Sequence, residues 1–213
     1  MSVFIFDLDG TIADSNRAWD KIDRELIRKH GADIPEEVAA SMAAMPYEEL
    51  YDTLGMYGIR YRDVRELQEE IDAIAEHEYA LNIKLKPGAE EFLRLSAGKH
   101  RTVLFTASPS RLYTPLLEHY GIYGCFSDIV CSEDIDADKK TDGYTKLAVF
   151  LGISPSDCVV FEDSFLCAQS AKAAGMRVIC VYDEFSSKLP GYENIKAISE
   201  RVITDFGSEC DLI

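Results

Sequence analysis

Long apolar stretches and clusters of basic residues are both missing from the sequence. No uninterrupted apolar run approaches the roughly 20 residues that a membrane-spanning helix needs, which argues against a transmembrane segment. Lys and Arg number 22 against 38 Asp and Glu, giving a formal net charge of −16, and no run of basic residues reverses that sign locally. Because such a field repels nucleic acid and anionic membranes, we expect neither as a partner.

Paired cysteines are missing as well. The six cysteines form no C-x-x-C pair, and four of them lie within or beside apolar, strand-like runs; the six are Cys125, Cys131, Cys158, Cys167, Cys180 and Cys210. This pattern predicts buried, reduced thiols rather than a disulfide framework or a zinc site. The opening residues MSVFIFDLDG have no basic segment and reach an acid after a few apolar residues, unlike a signal peptide. We therefore expect a cytoplasmic protein.

The sequence does contain strand-like and helix-like segments in regular alternation, interrupted by one helical block. VFIFDLD (3–9) is short and rich in β-branched and aromatic residues, which predicts a buried strand. Residues 15–85 carry helical spacing and no strand-like run. The remaining predicted strands are 102–106, 128–131, 158–162 and 177–182, with a further one near Val202-Ile203, and the predicted helices between them are 89–97, 109–120, 143–151 and 165–174.

This order of elements predicts the fold class. Alternating strands and helices of this length pair in parallel through right-handed crossovers. We therefore expect a three-layer, Rossmann-like α/β core made of residues 1–14 and 86–213. The helical block, residues 15–85, is expected to be an all-helical cap domain inserted after the first strand, with Pro87-Gly88 marking the return to the core.

Polar residues follow several of the predicted strands, at the point where each strand ends. Asp7 and Asp9 stand two residues apart, so their side chains share one face of the first strand. The other polar groups are Thr106-Ala107-Ser108, Glu162-Asp163-Ser164, and Lys139 and Lys140 in the loop DIDADKKTDG. Ligand sites in open parallel sheets form at the carboxyl ends of strands, so we expect these residues to lie together.

Each of these residues also has a purely structural interpretation. Thr106, taken alone, is explained by the end of a strand. Ser108, which precedes Pro109, is predicted to be a helix N-cap rather than a ligand. Glu162 and Asp163 are compatible with a solvated turn, although acids directly after an apolar strand favour a site. Two neighbouring buried acids are costly unless a cation pairs with them, so Asp7 and Asp9 indicate a site that needs both.

The ordered motifs resemble those of the haloacid dehalogenase superfamily. They are Phe6-Asp7-Leu8-Asp9-Gly10-Thr11, then Leu104-Phe105-Thr106-Ala107-Ser108, then a lysine, then Val160-Phe161-Glu162-Asp163-Ser164. Within the superfamily the chain is similar to the helical-cap subfamily of β-phosphoglucomutases and phosphoglycolate phosphatases. Two departures stand out: the usual K-P-x-P is absent, which leaves Lys139 and Lys140 as alternatives with Lys139 favoured, and Cys167 stands where relatives carry Gly.

The resemblance implies a mechanism and a ligand set. Asp7 is expected to be the nucleophile that forms an aspartyl-phosphate, and Asp9 the general acid and base. The implied cofactor is Mg²⁺, bound by Asp7, Asp163, the backbone carbonyl of Asp9 and, through water, Glu162. Leu8, Thr106, Ala107 and one of the two lysines are expected to hold the phosphoryl group. The implied substrate is a small phosphorylated metabolite.

Other functions remain open at this point. A sugar phosphomutase would share the core, but the early cap reads DSNRAWDKID and has no His, unlike the mutases that the chain resembles. A dehalogenase would not need Asp9. A phospho-accepting receiver module uses similar residues but takes the phosphoryl group on a later strand and has no insertion of this size. A non-catalytic phosphate-binding relative is the remaining alternative to the phosphatase.

Overall fold

The computed structural model describes residues 2–42 and 45–209. Its core is a six-stranded sheet in which neighbouring strands are parallel, in the order β3-β2-β1-β4-β5-β6. The strands are β1 (Val3–Phe6), β2 (Arg101–Thr106), β3 (Asp128–Cys131), β4 (Cys158–Glu162), β5 (Arg177–Val181) and β6 (Arg201–Ile203). The first strand is therefore central, between β2 and β4. Strands β2 and β3 are added on one side of it, and β4, β5 and β6 on the other.

The helices fall into two groups along the chain. The first group is α1 (Asn16–His30), α2 (Glu36–Ala39), α3 (Tyr47–Met56) and α4 (Val64–Leu81). The second group alternates with the strands and comprises α5 (Ala89–Ala97), α6 (Ser110–His119), α7 (Gly143–Leu151), α8 (Phe165–Ala173) and α9 (Ile195–Ile198). Within the described part of the chain, we find no helix whose length and apolar character would let it span a bilayer.

The chain forms two compact units. One contains residues 1–14 and 84–213, and the other contains residues 15–83 with the first group of helices and, in its described residues, no strand. Residues 84 and 85 belong with the core, two residues earlier than the sequence pattern indicates. The Asp14 N–H donates to the Lys84 carbonyl at 2.8 Å, and Ala13 and Leu85 form an antiparallel bridge. The chain thus leaves and re-enters the core through two paired segments.

The two faces of the sheet bury different side chains. Phe4 and Phe6 point to one face, where the Phe6 ring stacks on Phe161 with ring centroids 4.6 Å apart. Ile5 and Val160 point to the other face and pack in the core cluster that α7 and α8 complete. Asp7 follows Ile5, and Glu162 follows Val160, by two residues. Both acids therefore continue this second face at the carboxyl edge of the sheet.

The predicted fold class, a parallel α/β core with an inserted helical unit, is confirmed. The prediction for Ser108 is wrong. Helix α6 begins at Ser110 and Pro109 occupies the N-cap position, so Ser108 precedes the cap and its hydroxyl is used elsewhere. Five of the predicted buried thiols are free and buried, at Cys125, Cys131, Cys158, Cys167 and Cys180, and Cys210 lies outside the described residues.

A close backbone approach at Gly88 leads to a stability prediction. Gly88 has a φ of +72°, and a Cβ added there would lie 2.1 Å from the backbone nitrogen of Gly207. We expect Gly88→Ala to lower the free energy of unfolding by about 3 kcal/mol, because a left-handed conformation costs an L-residue about 1–2 kcal/mol and overpacking adds about 1–3 kcal/mol. Urea unfolding followed by circular dichroism measures this loss.

Gly31 provides the matched control. Its φ of +61° is similar, but an added Cβ would meet no atom within 4 Å. We expect Gly31→Ala to cost only the conformational part, about 1 kcal/mol. Equal losses for the two variants would contradict the claim that the contact with Gly207 adds to the cost at Gly88.

Candidate active site

Strand β1 fixes the first acid of the site. The Asp7 N–H donates to the Phe161 carbonyl at 3.0 Å, so the pairing of β1 with β4 continues one residue beyond the strand. A tight turn follows, in which the Leu8 carbonyl accepts the N–H groups of Ile12 at 3.0 Å and Ala13 at 2.9 Å. The Asp7 carboxylate is consequently held at the centre of the sheet edge, with only 7% of the residue exposed.

Strand β4 supplies the next two acids. Glu162 is the last residue of the strand, and its two oxygens accept the Tyr144 hydroxyl at 3.1 Å and the Ser164 N–H at 2.9 Å. Asp163 accepts the Thr11 hydroxyl on Oδ1 at 3.1 Å and the Ser186 hydroxyl on Oδ2. The carboxylates of Glu162 and Asp163 are therefore each oriented by two hydrogen bonds from other residues.

Asp7, Glu162 and Asp163 form a buried acidic cluster, in which one oxygen from each lies within 4.8 Å of the others. Burial raises the pKa of Asp7 well above its usual range, against the lowering effect of the Lys139 ammonium, and raises the pKa of Asp163 to about 7. Deprotonating Asp7 and Asp163 together is thus unfavourable without further positive charge. An all-oxygen donor set of this kind fits a hard divalent cation.

Lys139 brings a positive charge into this cluster. Its ammonium donates to Asp7 Oδ1 and lies 2.9 Å from Glu162 Oε1. Burial alone would lower the pKa of Lys139, but the carboxylates of Asp7 and Glu162 outweigh that effect and raise it. The ammonium also lies 5.5 Å from the centroid of the Phe105 ring and 5.9 Å from that of Tyr144. Two aromatic rings and two acids therefore fix its position.

The local turn determines which of the two neighbouring lysines enters the site. The Asp138 carbonyl accepts the N–H groups of residues 141–143, and the Asp138 carboxylate accepts the Lys140 N–H at 2.9 Å. This tight turn leaves Lys139 buried and Lys140 exposed. The structure therefore brings Lys139 to the acids and not Lys140.

The end of β2 lies against the second acid of the first motif. Ser108 donates its hydroxyl to Asp9 Oδ2 at 2.6 Å, and the Ser108 N–H donates to Thr106 Oγ1 at 2.9 Å. Thr106 is buried, and Ala107 is exposed at the tip of this turn. Asp9 is half-buried and its carboxylate is not part of the acidic cluster. The phosphate-binding roles predicted for Leu8, Thr106 and Ala107 remain predictions.

Sequence reasoning did not predict the contacts that three further residues make with the acids. These residues are Thr11, Tyr144 and Ser186. Thr11 belongs to the first motif, which was the signal available for it. Tyr144 stands in α7 as one aromatic residue among several apolar ones, and nothing in the spacing shows that its hydroxyl meets Glu162. Ser186 lies 23 residues beyond Asp163 and begins a short 3-10 helix, Ser186–Lys188, that follows β5.

Known proteins resemble the chain in sequence and in fold. The family model of haloacid dehalogenase-like hydrolases matches residues 1–175. Hexitol phosphatase B of Escherichia coli (strain K12) is 28% identical over 191 residues, covering 83% of this chain and 82% of the relative. Fructose-1-phosphate phosphatase YqaB of the same strain is 25% identical over 178 residues, covering 83% of this chain and 94% of the relative.

Among solved structures, CbbY from Rhodobacter sphaeroides in complex with phosphate superposes with a TM-score of 0.79 at 19% identity, covering 99% of this chain and 97% of that chain. This likeness concerns the fold. The family match runs from β1 through α8 and so includes every residue of the acidic cluster and Lys139. Motifs, topology and family match agree, and the chain belongs to the haloacid dehalogenase-like hydrolases.

Proposed function

We propose that this protein is a Mg²⁺-dependent phosphatase that hydrolyses a small phosphomonoester through an aspartyl-phosphate on Asp7. The observation that carries the proposal is the buried cluster of Asp7, Glu162 and Asp163 with the Lys139 ammonium beside it. Relatives named as sugar and hexitol phosphatases support the same reaction class. We place the protein in the cytoplasm and assign it a small phosphorylated metabolite as substrate.

The acidic cluster fits the proposed cation. Asp7 and Asp163 would hold Mg²⁺ directly and Glu162 through water, with the Asp9 carbonyl as a further ligand, because the cluster offers oxygen donors that Mg²⁺ prefers. When bound, the cation neutralises charge on the substrate phosphate and on the acids. Without it, each pair of like charges about 4 Å apart repels by about 4 kcal/mol at an effective dielectric constant of about 20. Burial and the neighbouring Glu162 carboxylate raise the pKa of Asp163 to about 7, and a bound cation would favour its charged form.

Asp7 and Asp9 divide the chemistry between them. A carboxylate oxygen of Asp7 attacks phosphorus, forming a new P–O bond as the bond to the leaving oxygen breaks. Asp9 gives its proton to that leaving oxygen and later takes a proton from the water that attacks the aspartyl-phosphate, releasing inorganic phosphate and restoring Asp7. The Ser108 hydroxyl, 2.6 Å from Asp9 Oδ2, holds the acid in place.

Lys139 and the turn after β2 serve the phosphoryl group. The ammonium of Lys139, already on Asp7 Oδ1, supplies positive charge next to the oxygen that reacts. The Thr106 hydroxyl and backbone N–H groups at Leu8 and Ala107 are proposed to bind the remaining phosphoryl oxygens. These groups act by positioning and by stabilising the charge that spreads over the phosphoryl oxygens in the transition state.

A panel of phosphate esters tests the proposal. It contains sugar phosphates, hexitol phosphates, phosphoglycolate, nucleotides and a chromogenic ester, each assayed for released phosphate with Mg²⁺ and with EDTA. We expect release from at least one small ester, a fall of about 100-fold or more in EDTA, and recovery when Mg²⁺ is added in excess. Equal rates in EDTA would contradict the metal dependence.

The same panel separates the mutase alternative. A mutase would interconvert sugar monophosphates, would need a bisphosphate to start, and would release little phosphate. The residues after Asp14 read SNRAWDKID and contain no His, and the relatives described above are named as phosphatases, so the phosphatase is the reaction that we propose.

A further inference from the structure

The segment after β5 contains a buried acid that the proposed reaction does not use. Asp183 is only 2% exposed. Its Oδ1 accepts the N–H groups of Phe185 and Ser186, both at 3.0 Å, and its Oδ2 accepts the Lys86 ammonium at 2.7 Å. One oxygen therefore shapes the turn that follows β5, and the other is neutralised by a lysine from a distant part of the chain.

The turn that Asp183 shapes leads to the acidic cluster. Ser186, which is 4% exposed, donates its hydroxyl to Asp163 Oδ2. Thr11 holds the other oxygen of the same carboxylate at 3.1 Å. Asp163 is thus oriented from two sides, and one of these contacts depends on the turn that Asp183 fixes.

Lys86 connects the same network to the paired segments through which the chain enters and leaves residues 15–83. Its N–H donates to the Ile12 carbonyl at 2.8 Å, and its ammonium lies 3.7 Å from Asp14 Oδ1. The Lys86 side chain is 11% exposed, so its ion pair with Asp183 is largely buried. Removing one partner of such a pair leaves the other charge largely buried with weaker compensation, so Lys86 and Asp183 depend on each other.

We propose that Asp183 is a positioning residue for the divalent-cation site. Held by Lys86, it fixes the turn that places the Ser186 hydroxyl on Asp163 Oδ2, and it thereby sets the direction in which Asp163 presents its carboxylate to the cation. Partners of this kind, one step away from the ligands, commonly change metal affinity by about 10- to 100-fold when they are removed. The inference rests on the proposed metal dependence of the enzyme.

Cation binding without substrate tests the inference. Isothermal titration with Mg²⁺, and electron paramagnetic resonance with Mn²⁺, give the Kd for wild type, Ser186→Ala, Asp183→Asn and the double variant. We expect each single variant to weaken the Kd about tenfold. The double variant should be no more than about twofold weaker than the weaker single variant, because both changes interrupt one chain of contacts. Ser187→Ala and Glu184→Gln change a half-buried and an exposed neighbour in the same segment, and both should leave the Kd unchanged.

A second readout separates positioning from a general structural role. In Ser186→Ala we expect the Mg²⁺ concentration for half-maximal activity to rise about tenfold, while kcat at saturating Mg²⁺ stays within about threefold of wild type. If Asp183→Asn lowers the yield of folded protein, Ser186→Ala, which keeps the ion pair with Lys86, carries the test alone. If the wild type binds the cation and Ser186→Ala binds it with the same Kd, this inference alone is overturned. The same holds if the losses of affinity in the two single variants add up in the double variant. A wild-type protein that binds neither cation overturns the metal dependence and this inference together.

Discussion

Asp7→Asn is expected to lose phosphatase activity by at least about 10⁴-fold, because an amide cannot form the acyl-phosphate bond that the proposed reaction requires. The loss should appear in kcat, measured as phosphate release at saturating substrate and Mg²⁺. The fold should survive the change, since burial already disfavours the charged form of Asp7 and Lys139 keeps its contact with Glu162 at 2.9 Å. A thermal unfolding midpoint close to that of wild type would show this.

Asp157→Asn is the matched control for this variant. Asp157 is an exposed acid just before β4, at the opposite end of the strand from Glu162, so the same substitution there should leave kcat unchanged. Mass spectrometry of wild type quenched during turnover should place a phosphoryl group on the peptide that contains Asp7. Wild-type rates in Asp7→Asn would refute the covalent mechanism.

Lys139→Met is expected to lower kcat/KM by about 10³-fold, because it removes the positive charge beside Asp7 that we propose stabilises charge on the phosphoryl group. Met has a similar length and stays apolar, so it can occupy the space beside the Phe105 and Tyr144 rings. Steady-state kinetics with the best substrate of the panel, at saturating Mg²⁺, measure the effect.

Lys140→Met makes the same change one residue along the chain. Its side chain is exposed, so kcat/KM should stay within about twofold of wild type. A large loss in Lys140→Met with normal activity in Lys139→Met would show that the turn at Asp138 is arranged differently during catalysis. Similar losses in both would point to a general effect of charge rather than to the contact with Asp7.

Much of the core could be predicted because its signals are local. The strands at 128–131 and 158–162 and the helix at 143–151 have the predicted bounds, since short apolar runs between turn residues leave few alternatives. The acids at 7 and 162–163 could be placed at one edge of the sheet because parallel topology brings the ends of strands together.

The finer parts of the site depend on contacts that no local pattern contains. Lys139 and Lys140 are chemically identical neighbours, and the turn closed on the Asp138 carbonyl decides which one points inward. Ser108 is a residue type typical of helix N-caps, yet its hydroxyl donates to Asp9, which is 99 residues away in the sequence. Asp183 has no motif of its own, and its importance appears only when Lys86 and Ser186 are seen beside it.

The pairing of β1 with β4 has a consequence for the growing polypeptide. Val3 lies opposite Cys158 and Phe6 opposite Phe161, so the proposed nucleophile, Asp7, and its acidic neighbours come from distant parts of the sequence. A ribosome-bound chain from which residues 158–163 have not yet emerged carries Asp7 but lacks the other two acids of the proposed cation site. Contacts of such long sequence separation form slowly, and catalytic competence should therefore be among the last properties that a newly made molecule acquires.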